Sequence, residues 1–156
     1  MGNHTYDITL KWTGNKGAGT FDYRVYERSH TISVENKEDI YGSSDPKFRG
    51  DNTKHNPEEL LVASLSACHM LWYLHLCAEN GVIVIDYVDN ASGTMIENAD
   101  RSGQFVEVIL NPLVTLAETA MEERALELHQ EANKLCFIAN SVNFPVKHTP
   151  QFKSID

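Results

Sequence analysis

The sequence is short of positive charge. Lys and Arg number 13 against 22 Asp and Glu, giving a net charge of -9. Nucleic acid and anionic membrane surfaces are bound through clustered basic residues, so neither is an expected partner. Cysteine is scarce as well, with three in 156 residues. An odd and small number excludes a disulfide scaffold and suits reduced thiols in a cytoplasmic protein. The opening MGNHTYDITL has neither a basic start nor a long apolar stretch, so no signal peptide is expected. Gly2 invites N-myristoylation, but Tyr6 stands where that motif wants Ser or Thr. His-x3-His, Cys-x2-Cys, a Gly-rich phosphate loop and Gly-x-Ser-x-Gly are all missing, so no metal or cofactor is expected. Repeats, low-complexity tracts and linkers are missing too, which leaves a single domain over residues 1–156.

What is present suffices for a core: 42% of residues are hydrophobic and 22% charged. Residues 60–78, LLVASLSACHMLWYLHLCA, contain no Asp, Glu, Lys or Arg. Such a stretch is long enough to cross a membrane. Against that, Ser64, Ser66, His69 and His75 are polar, and Glu58, Glu59 and Glu79 bracket it where Lys or Arg would flank a membrane span. It reads as the buried central helix of a soluble protein. Asn56 suits its N-cap, Pro57 its first position and Gly81 its C-cap.

Before this helix, Thr5–Trp12 alternates as a strand, Phe21–Tyr26 and Thr31–Val34 read as a hairpin, and 42–56 is a long polar loop. After it, Val82–Glu97 and Gln104–Leu116 read as two long strands. A second helix over Thr119–Lys134 has the stripe Met121, Ala125, Leu128, Ala132, Leu135. A short helical piece, Cys136–Ser141, and a strand over Asn143–Thr149 follow. This order predicts an α+β fold with mostly antiparallel pairing.

Cys68 falls mid-helix, where a free thiol is ordinarily a small buried hydrophobe. Cys77, nine residues on, faces about half a circumference away and reads as structural. Cys136 stands where the second helix meets the short one, and a thiol at a helix start feels the positive dipole end, which favours thiolate. His69 and His75 point to different faces. Neighbours on a helix diverge by about 100°, so Cys68 and His69 do not form a nucleophile pair.

The segment NPEELLVASLSAC, residues 56–68, resembles the signature of the OsmC/Ohr family, the osmotically inducible and organic-hydroperoxide-resistance proteins. The reactive Cys of that family lies ten residues after the Glu, as Cys68 lies after Glu58. Its second Cys follows an amphipathic helix, where Cys136 stands. Phe137 takes the place of a common Pro. Phe48-Arg49-Gly50-Asp51 resembles the family's arginine-bearing loop, although Lys47 holds the position used in one branch, and Arg24 and Arg28 are rivals to Arg49. The resemblance implies an antiparallel sheet wrapped around a buried central helix, in an intertwined homodimer. It also implies a stress-response thiol peroxidase: Cys68 attacks an organic hydroperoxide, Cys136 resolves the sulfenic acid, and a small dithiol or a lipoylated protein reduces the disulfide. Arg49 would activate Cys68, Glu58 would hold that guanidinium, and Leu65, Trp72 and Phe137 would face the substrate. The alternative is a non-catalytic, redox-active ligand- or lipoyl-binding module on the same fold. A helix apolar on every face calls for a second copy to cover it. Glu58 and Cys68 lie about 15 Å apart along one helix, so either an arginine extends between them or a partner subunit supplies Glu58 and Arg49, and the partner is the favoured reading.

Overall fold

The structure, a computed structural model, describes residues 2–156, which fall into two compact units, one up to Leu60 and one over Leu61–Asp156. In the first unit, β1 (Thr9–Trp12), β2 (His30–Ser33) and β3 (Ile40–Gly42) form an antiparallel sheet in that order. The expected strand Phe21–Tyr26 is instead a series of turns. Arg28 explains the difference: its guanidinium donates to the carbonyls of Tyr23 and Tyr26, both at 2.6 Å, and lies 4.1 and 4.2 Å from their ring centres. These bonds and cation–π contacts hold the chain in a curl that no ladder can join.

The polar loop is ordered by its own hydrogen bonds. Asp45 caps a 3-10 turn over Pro46–Phe48 through Lys47 N at 2.7 Å. Arg49 follows with φ 63. A Cβ on Gly50 would come within 1.5 Å of the Ser44 carbonyl oxygen, so only glycine fits there. Asp51 accepts from Thr53 N and Oγ1 and pairs with Lys54 at 3.2 Å, which together hold its carboxyl at about 2.

Helix α1 spans Pro57–Glu79, the predicted extent. Its start is a capping box: Glu59 N donates to Asn56 Oδ1 at 2.8 Å, and Asn56 N donates back to Glu59 Oε2 at 3.2 Å. Gly81, at φ 71, ends it. By length and composition α1 passes as a membrane span. It is not buried all round, however. Leu65, His69, Tyr73, Leu76 and Cys77 form one buried stripe, while Leu71 on the other side is 63% exposed.

The two long strands of the second unit each break in two, giving β4 (Val84–Asp89), β5 (Ser92–Glu97), β6 (Gly103–Leu110) and β7 (Pro112–Leu116). Strands β8 (Val146–His148) and β9 (Gln151–Ser154), the latter not expected, follow helix α2 (Glu122–Leu135). The sheets are β4-β7-β9 and β5-β6-β8. The pairs β4/β7 and β5/β6 are antiparallel, whereas β6/β8 and β7/β9 are parallel, so the pairing is mixed. All three runs change sheet at one level, where polar side chains replace the ladder. Asn111 N donates to Asp89 Oδ1 at 2.7 Å, Asn111 Nδ2 to the Asn90 carbonyl at 3.0 Å, and Thr149 Oγ1 to Asn111 Oδ1. Ser66 of α1 donates to the other Asp89 oxygen and anchors the bend to the helix.

Two apolar clusters fill this unit. One joins Tyr73, Leu76 and Cys77 of α1 to Val114 and Leu116 of β7 and Ala125, Leu128 and Ala132 of α2. The other sets Leu65 against Val108 and Leu110 of β6. Truncating a fully buried leucine such as Leu65 costs about 2–5 kcal/mol.

Candidate active site

The open side of α1 carries a stripe at helical spacing: Ser64, Cys68, Leu71, Trp72 and His75. With Ala67 and Phe137 these residues line an apolar groove of about 540 Å³. Trp72 and Phe137 meet edge to face at 5.6 Å. Phe137 stays 68% exposed, so the groove opens to solvent. Cys68 is half-buried in its floor.

Cys136 is fully buried and lies close enough to Cys68 for the two thiols to affect each other's protonation. All three cysteines are free thiols. Burial first, and then the Cys68 thiol beside it, push Cys136 up to about 11. This corrects the dipole expectation. Cys136 is the C-cap of α2, at the negative end of that helix. The Ala139 N–H donates to its Sγ at 3.4 Å, but that bond and the Ile138 N–H do not outweigh burial. Cys136 therefore holds its proton near neutral pH. Cys77, buried against Tyr73, stands apart from this pair, and burial pushes it up as well.

The family of OsmC-like proteins matches residues 50–151. The chain belongs to this family. An OsmC-like protein of unknown function from Vibrio cholerae is 28% identical, with TM-score 0.86, over 96% of this chain and all of that one. An organic hydroperoxide resistance protein from Elizabethkingia anophelis, with thiocyanate bound, shares the fold at 18% identity and TM-score 0.65, over 97% and 98% of the two chains. An organic hydroperoxide resistance protein from Legionella pneumophila shares it at 15% identity and TM-score 0.67, over 97% and 99%. No curated protein matches.

Within this OsmC-like chain, the remaining candidates are placed as follows. Trp72 and Phe137 line the groove, whereas Leu65 lies wholly in the core with Val108 and Leu110, one position round the helix from Ser64. Ser64, Ala67 and His75 were not singled out from sequence. The spacing of 4, 3 or 4, and 3 or 4 residues along the stripe through Cys68 is the signal that finds them. His75 pairs with Glu79 at 3.3 Å and packs edge-on to Trp72 at 5.8 Å, at one end of the groove.

Arg49 and Arg24 are exposed in the first unit, and the guanidinium of Arg28 is committed to Tyr23 and Tyr26. The expected pair between Arg49 and Glu58 does not form within the chain: Glu58 Oε2 is buried and has no hydrogen-bond partner among the described residues. A buried carboxylate oxygen left so is costly and calls for a cation. No cluster of His, Cys, Asp and Glu suited to a metal ion occurs among the described residues.

Proposed function

We propose that this protein is a thiol-dependent peroxidase that reduces organic hydroperoxides. One observation carries the reading: Cys68 opens onto an apolar groove and the buried Cys136 thiol lies beside it. In the first step the Cys68 thiolate attacks the outer peroxide oxygen. The O–O bond breaks, the alkoxide leaves and takes a proton to become the alcohol, and Cys68 becomes a sulfenic acid. In the second step the Cys136 sulfur attacks that of Cys68. A disulfide forms and the hydroxyl leaves as water. A small dithiol or a lipoylated protein then reduces the disulfide by two exchange steps. The groove's aromatic and aliphatic lining favours peroxides with apolar tails over hydrogen peroxide.

The working form in this reading is a homodimer. The orphaned Glu58 oxygen and the exposed apolar side of α1 support it. The partner's Arg49 then supplies the cation that favours the Cys68 thiolate. Dithiol-dependent consumption of an organic hydroperoxide by the reduced protein, lost in Cys68→Ser, is the test. A reduced wild-type protein with no turnover refutes it and leaves the non-catalytic binding module.

A further inference from the structure

Beside the thiol pair lies a second contact between α1 and α2 that the peroxidase reading does not use. His69 and His129 are 1% and 0% exposed. His69 Nε2 and His129 Nδ1 are 2.9 Å apart, with ring planes 6° from parallel and centres 5.3 Å apart. Two coplanar imidazoles at that centre spacing meet end to end, so they share one N–H···N hydrogen bond rather than stack. Tyr73 stacks on His129 at 3.7 Å, and His148 closes the group at 5.5 Å from His69. The outer nitrogens, His69 Nδ1 and His129 Nε2, are buried without partners among the described residues.

Stability alone does not account for such a pair. Apolar side chains of this volume would fill the site without leaving two nitrogens unmet. What a directional bond adds is register. The apolar contacts of α2, through Ala125, Leu128 and Ala132, tolerate a small slide along α1, whereas an N–H···N bond does not. Its place on both helices matters. His69 directly follows Cys68 on α1. His129 and Cys136 are seven residues apart on α2, within 20° of one face. A disulfide needs its sulfurs about 2.0 Å apart with Cβ atoms about 3.8 Å apart, so a shift of about 1 Å between the helices is felt directly.

We infer that His69 and His129 are positioning residues that fix α2 against α1 so that Cys136 lies beside Cys68, and so set the effective concentration of the thiol pair. The inference rests on reading Cys68 and Cys136 as the reacting pair. It is tested without peroxide, in Cys77→Ala protein equilibrated with reduced and oxidised glutathione. There the protein dithiol and one glutathione disulfide give the protein disulfide and two glutathione thiols. His69→Phe/His129→Phe keeps a flat aromatic ring, somewhat larger than imidazole, but removes every nitrogen. The expected result is a fall of about tenfold in the effective concentration of Cys68 for Cys136, the scale of one buried hydrogen bond. His69→Gln, which keeps a polar nitrogen near the Nε2 position, should recover most of it. A folded double-Phe protein with the parental effective concentration overturns the inference.

A measurement on the unsubstituted pair guards against a variant that fails to fold. Coupling is reciprocal, so a bond that favours the disulfide is favoured by it. The shared imidazole N–H, followed by proton NMR, should exchange with solvent more slowly in oxidised than in reduced protein. Equal exchange overturns the inference. If the parent forms no Cys68–Cys136 disulfide in glutathione, the thiol-pair reading itself falls, and the histidine role with it.

Discussion

Acid should weaken this fold well before its carboxylates titrate, and the buried histidines set the size of the effect. Burial, and then His148, hold His69 at about 4, and burial, then His69 and His148, hold His129 at about 3, against 6.5 for an exposed histidine. Burial lowers His148 as well. The other titratable groups facing the cluster, Tyr73 and Tyr87, are pushed up by burial and stay neutral throughout. Lowered histidines mean that the unfolded chain binds protons that the folded chain refuses. Stability is therefore full above pH 6.5 and is lost as the pH falls toward about 4. From pH 7 to pH 5, His69 and His129 together should remove about 4 kcal/mol, a large part of the 5–15 kcal/mol typical of a domain. Carboxylates lowered in the fold, such as Asp51, act in the same direction, but only below their unfolded value of 3.8, outside this window. Urea unfolding followed by circular dichroism at half-unit steps of pH reads the effect as a falling midpoint at constant slope. The His69→Phe/His129→Phe protein should lose most of this dependence. A parental midpoint that is flat between pH 7 and 5, or a double variant that keeps the full slope, would refute the reasoning.

Three further outcomes are expected. Asn56→Ala breaks the capping box and should lower stability by about 1 kcal/mol in urea unfolding, with Asn56→Ser nearly neutral. Arg49→Met should slow alkylation of Cys68 at neutral pH by about tenfold; if Arg24→Met does so and Arg49→Met does not, the activating arginine is Arg24. Light scattering should give twice the 17.6 kDa chain mass at micromolar concentration, and a fully active 17.6 kDa species would contradict the dimer.

Local signals were legible in the sequence and long-range ones were not. The bounds of α1 are written in Asn56, Pro57 and Gly81, each of which acts on its own turn of backbone. The α2 stripe is equally local: Ala125, Leu128 and Ala132 are buried as its spacing predicts, whereas Leu135 at the helix end is exposed. The breaks near Asn90 and Asn111 were missed because they depend on bonds from Asp89 to Ser66 and Asn111, more than twenty residues away. The curl at Phe21–Tyr26 was missed because its alternation looks like a strand until Arg28 folds back over it. At the site, the motif through Cys68 and the position of Cys136 were readable. The protonated state of Cys136 was not, since it follows from burial beneath α1. The bond between His69 and His129 joins residues sixty apart with no spacing rule between them.

The central claim concerns which sulfurs react. Reduced protein treated with one equivalent of an organic hydroperoxide, alkylated and digested, should yield a single Cys68–Cys136 disulfide by peptide mass analysis, with Cys77 alkylated and one alcohol released per disulfide. A disulfide that includes Cys77, or a peroxide left unconsumed with Cys68 and Cys136 both alkylated, would contradict it.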